Sequence, residues 1–79
     1  MLNKKQFNVF IRQDEDDYFV ASVPALPGCH TQAKTLTELR KRVREVIGLC
    51  LQVAKTDSAY RRRITLGEPA FMGMEMVEV

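Results

Sequence analysis

At 79 residues, 46% hydrophobic and 28% charged, the chain has the make-up of a single folded domain spanning residues 1–79 and not that of a disordered, collagen-like or membrane-spanning polypeptide. A net charge of +2 and two cysteines, with no Cys/His spacing suited to zinc, exclude a strongly polyanion-seeking protein, a disulfide scaffold and a zinc module. A domain this small buries only about 60% of the surface that its unfolded chain exposes, so the composition points to stabilisation by self-association, as a dimer or a tetramer.

The first ten residues, MLNKKQFNVF, carry no long apolar run or small-residue cleavage site, and no later stretch is apolar enough to span a bilayer. A cytoplasmic protein with reduced thiols is expected. QFNVFIR (6–12) alternates, with Phe7, Val9 and Ile11 on one face and Gln6, Asn8, Phe10 and Arg12 on the other, which is the periodicity of a strand. YFVASV (18–23) is rich in aromatic and β-branched residues. The acidic QDEDD between them has a turn composition, because aspartate side chains bond nearby backbone amides. The two runs form a predicted β-hairpin.

Pro24 and Pro27 then forbid further ladder pairing, and Pro27-Gly28-Cys29 turns the chain into a short extended piece over 29–33. Thr35 opens a helix. It stands at the N-cap with Glu38 three residues on, so that each side chain can satisfy an orphan amide of the first turn. Leu36, Leu39, Val43, Val46, Ile47, Cys50, Leu51 and Ala54 recur along one helical stripe. Leu49 and Val53 widen the stripe beyond what a helix lying on a sheet needs, which implies a second surface packed there. Gly48 falls on the outer side. KTDSAYRRRITLGEP reads as a connection, and FMGMEMVEV (71–79) as a last strand that is apolar on much of both faces. Such a strand is an aggregation hazard unless covered. Leu49, Val53, Met72, Met74 and Met76 are therefore the candidate oligomer interface. The element order is β-β-β-α-β, an α+β fold with one helix on an antiparallel sheet.

Reactive chemistry finds little support. Cys29 and His30 are neighbours in an extended segment and point to opposite faces, so they make no nucleophile–base dyad. His30 has no second ligand spaced to join it. The DEDD run at 14–17 lacks the alternating ligands and glycine of a calcium loop and reads as a solvated turn. No catalytic residue, cofactor or metal site is expected, and the protein is read as no enzyme. Residues 40–63 hold eight cations and two anions. Tyr60 with Arg61, Arg62 and Arg63 is accordingly the candidate nucleic-acid contact, through charge on phosphates and stacking on the ring.

The combination of Pro24, Pro27-Gly28-Cys29, Thr35 and Glu38, set within residues 7–51, resembles the HicB-like antitoxin family. Asp17 stands where that family often has a glycine, Ala33 where a glycine usually precedes the capping threonine, and Leu39 where an alanine is common. The resemblance implies a β-β-β-α-β fold likened to part of the ribonuclease H fold, self-association, and no catalysis. It also implies a small partner toxin, an mRNA-cleaving ribonuclease of the HicA type, whose active surface the antitoxin covers. Many members add a C-terminal DNA-binding domain. This chain is expected to be a solitary member without one.

Overall fold

The computed structural model describes residues 6–64 and 73–79. Three strands, β1 (Phe10–Gln13), β2 (Phe19–Ser22) and β3 (His30–Ala33), precede a long helix α1 (Leu36–Thr56) and a short helix α2 (Ser58–Arg63). The strands form one antiparallel sheet in the order β1-β2-β3. The fold is α+β, with α1 packed mainly on β3 and β2.

The β1–β2 hairpin turns on Asp14. Its carboxylate accepts the amides of Asp16 at 3.0 Å and Tyr18 at 3.1 Å, while its own amide donates to the Tyr18 carbonyl at 2.8 Å. Asp17 takes a φ of 65°, the left-handed conformation that glycine adopts freely and aspartate tolerates. The first strand forms only from Phe10, later than the expected start at residue 6. Phe10 pairs with Ser22, so an extension back through Asn8 would have to pair with Pro24, which offers no N–H. Phe7 and Val9 still pack on the core from outside the ladder.

Residues 23–29 make two consecutive turns. The amide of Leu26 donates to the Val23 carbonyl, and that of Cys29 to the Leu26 carbonyl, each at 3.1 Å. The amide of Val23 closes the pair by donating to the Cys29 carbonyl at 2.9 Å. In the second turn Pro27 fixes one central φ and Gly28 supplies a φ of 71° at the next position, the arrangement of a type II turn. The double turn drives Val23, Ala25, Leu26 and Cys29 inward, all of them buried.

Register puts Ile11, Ala21 and Thr31, with Gln13, Phe19 and Ala33, on the face toward α1. Two apolar clusters result: Ala21, Ala33 and Leu39 with Val9, Phe19 and Val43 around them, and Val23, Leu26 and Cys29 with Phe7, Val46, Ile47, Cys50, Leu51 and Ile64. α1 starts as expected, with the Thr35 hydroxyl accepting the Glu38 amide at 3.1 Å. The capping box closes on that side alone, because the Glu38 carboxylate accepts from Arg42 at 3.2 Å in place of the Thr35 amide.

Two expectations are corrected. The segment after α1 is not a plain connection, since Ser58–Arg63 is helical. Asp57 produces it: in extended backbone it ends α1 and caps α2, its carboxylate accepting the Tyr60 amide at 3.1 Å. Nor is a last strand formed over 73–79, where no ladder pairing occurs and every residue is exposed. A strand gains its hydrogen bonds only from a neighbour, and within this sheet β1 pairs with β2 alone. Residues 71 and 72 of that expected strand, Met72 among them, lie outside the described residues.

Candidate protein-binding surface and the corner beneath it

The corner at residues 23–29 is held from behind by α2. The Tyr60 hydroxyl donates to the Pro27 carbonyl at 2.8 Å, across a long sequence separation, and ties the type II turn to the end of the helical segment. Arg61 turns back in the same way. Its Nη1 donates to the carbonyls of Ala54 at 2.7 Å and Lys55 at 3.5 Å, satisfying acceptors that the last turn of α1 leaves open. Of the four residues read as a nucleic-acid contact, two are thus engaged with backbone carbonyls. Arg62 and Arg63 are exposed.

Beneath the corner lie two thiols and a phenol in an apolar setting. The Cys29 thiol is buried at 2% exposure, and the half-buried Cys50 of α1 packs against the same apolar cluster of Val23, Leu26 and Cys29. Each group has one proton. Tyr60 commits its proton to the Pro27 carbonyl. Burial first, and then the neighbouring Cys50, pushes the Cys29 thiol up to about 12. Burial first, and then Cys50, likewise moves the Tyr60 phenol to about 12. Both groups are held protonated near neutrality, which suits architecture and not nucleophilic attack. His30 points away from the core into solvent, as the alternation of an extended segment requires. Among the described residues no group of three or more His, Cys, Asp or Glu side chains could hold a metal ion, and no helix is long and apolar enough to cross a membrane.

The opposite side of α1 is different. Leu49 is 62% exposed and Val53 44%, one helical turn apart and outside the stripe that seals the sheet. Phe10 and Ile11 of the edge strand β1 are each 45% exposed, and Met74 and Met76 are 90% and 99% exposed. Phe10 and Ile11 lie on opposite faces of the sheet, so these exposed residues are separate, and Leu49 with Val53 is the apolar pair that α1 turns outward. Gly48, on the outer side of α1, faces open space, and a methyl group at that position would meet nothing within 4 Å. Sequence reasoning missed Leu26, Asp57 and the structural work of Tyr60 and Arg61. Asp57 had a readable signal, an N-cap residue just past a helical stripe. The Tyr60–Pro27 bond had none, because it joins residues distant in sequence.

Three relatives align over most of their length. A UPF0150 protein of Archaeoglobus fulgidus is 49% identical over 74 residues, 94% of this chain and 94% of the relative. The chain belongs to the UPF0150 family. Other members that resemble it are a UPF0150 protein of Thermotoga maritima, 36% identical over 77 residues, 96% of this chain and 92% of the relative, and one of Synechocystis, 42% identical over 57 residues, 72% and 83% respectively. No family model and no solved structure matches the chain.

Proposed function

We propose that this UPF0150 protein is a non-catalytic, self-associating protein-binding domain of the HicB antitoxin type, whose partner is a small HicA-type toxin that cleaves mRNA. The observation that carries the reading is the exposed apolar pair on α1, Leu49 and Val53. Leu49 and Val53 project from a helix whose other side already seals the sheet, while Phe10, Ile11, Met74 and Met76 stand exposed as well. Singly exposed apolar residues are ordinary, but a chain this small gains by covering several together. Methionine suits the task, since its flexible thioether repacks against different surfaces. The resemblance carried by Pro24, Pro27-Gly28-Cys29, Thr35 and Glu38 supports the antitoxin assignment, and the structural use of Cys29, Tyr60 and the Asp14 turn supports a role without catalysis.

The test is inhibition of RNA cleavage in vitro. A purified HicA-type toxin is expected to lose cleavage of an mRNA substrate at stoichiometric ratios of this protein and to co-elute with it. Undiminished cleavage at excess protein contradicts the antitoxin role. A second reading, nucleic-acid binding, rests on exposed Arg62 and Arg63. An RNA affinity that falls steeply with salt and drops in an Arg62→Ala/Arg63→Ala variant favours it.

A further inference from the structure

We propose that residues 73–79 of one copy add as a strand to the open edge of β1 in a second copy, which rests on the self-association proposed above. The two edges of the sheet differ. The Asp14 amide donates to the Tyr18 carbonyl, and this pair continues the register of Arg12 with Val20 and Phe10 with Ser22. Phe10 and Arg12 therefore turn their backbone groups toward β2, and Ile11 and Gln13 turn theirs to the free edge. On β3 the Cys29 carbonyl accepts the Val23 amide, and the same alternation turns the backbone of His30 and Gln32 outward. That edge is covered in part, because Arg42 of α1 donates to the Gln32 carbonyl at 3.2 Å. Among the described residues no side chain covers β1 in this way, and all four of its residues are exposed. An open edge without proline is a template for a further strand.

The strand that fits is in the chain itself. Residues 73–79 make no ladder pairing in their own copy, every one of them is exposed, and none is proline. Laid parallel along β1, the segment sets Met76 beside Phe10, Val77 beside Ile11 and Glu78 beside Arg12, two apolar pairs and one pair of opposite charges. Ile64 packs with Phe7 on one apolar cluster, close to the entry of β1. From Ile64 to Gly73 the chain spans at most roughly 30 Å, enough to cross to a facing copy. Twofold symmetry repeats the addition, so each β1 edge receives a strand. A strand on so short an edge holds little by itself, and the exchange works together with the contact at Leu49 and Val53.

The experiment refolds isotope-labelled and unlabelled full-length chains together from urea and records isotope-filtered NMR spectra and amide hydrogen exchange. Nuclear Overhauser contacts are expected between Val77 of one chain and Ile11 of another, with the Ile11 and Gln13 amides protected. A chain ending at Met72 is expected to exchange those two amides about tenfold faster or more, while the amides of β2 and α1 keep their protection. Where the shortened chain fails to fold, Met76→Pro/Val77→Pro removes the ladder amides on either alternation and serves for the same measurement. An assembly whose Ile11 and Gln13 amides exchange as freely as that of Glu15 in the hairpin turn overturns the exchange and leaves self-association standing. So do contacts that arise within one chain, or protection that neither variant changes. A wild type that is monomeric in light scattering overturns both.

Discussion

The two sides of α1 are made from the same kinds of residue and meet different surroundings. On the inner side Leu39 and Ala54 are buried, and Val43, Val46, Ile47, Cys50 and Leu51 lie against the sheet and the double turn. On the outer side Leu49 and Val53 are equally apolar and face outward. The inner side is held within one chain: turns pair their amides, the Tyr60 hydroxyl donates to the Pro27 carbonyl, and Arg61 donates to carbonyls in the last turn of the helix. The outer side leaves apolar area over. Inner positions should therefore govern the stability of the chain itself, and outer ones its association.

The largest expected effect contrasts two leucines on the same helix. Leu39→Ala, at a position with 0% exposure, should cost about 2–5 kcal/mol in urea unfolding, whereas Leu49→Ala in dilute protein should stay within about 0.5 kcal/mol. Comparable losses at both positions would erase the distinction.

The next effect is a pH response confined to the inner side. Cys29 rises from an ordinary value of 9.0 to about 12, and Tyr60 from 10.0 to about 12. The folded chain thus holds both protons more tightly than the unfolded one. Their contribution is complete below about pH 9 and disappears as pH climbs through about 12, a loss on the order of a few kcal/mol. Urea midpoints along that range should fall, and should fall less in Cys29→Ala. Tyr60→Phe, smaller again, leaves the Pro27 carbonyl without its donor and should cost about 1–2 kcal/mol in the same assay.

The smallest effect concerns the outer side. Gly48→Ala meets no neighbour within 4 Å, so it should stabilise the dilute chain by up to about 1 kcal/mol through helix propensity alone. If it instead weakens self-association, a neighbouring backbone approaches that point, which would sharpen the map of the contact.

Much of the fold was legible because its signals are local. Alternation located the hairpin, Pro24 and Pro27-Gly28 located the corner, and Thr35 located the start of α1 to the residue. The inner stripe was read correctly except at Leu36, which opens the helix and stays exposed. Illegible features depend on partners distant in the chain. Phe7 and Val9 alternate as strand residues do, but only the position of Pro24 opposite Asn8 in the register ends the ladder at Phe10. Tyr60 and Arg61 look like a basic aromatic contact in sequence, and only the folded chain brings the Pro27 and Ala54 carbonyls to them. The apolar pattern of 73–79 resembles a strand, yet pattern alone supplies no neighbour to pair with.

Light scattering on wild type and a Leu49→Asp/Val53→Asp variant at micromolar concentration tests the central claim most directly. The account predicts a dimeric or tetrameric mass for the wild type and a monomeric mass for the variant, with the helical circular dichroism of both alike. A wild type that is strictly monomeric, or an assembly that survives both aspartates, would contradict it.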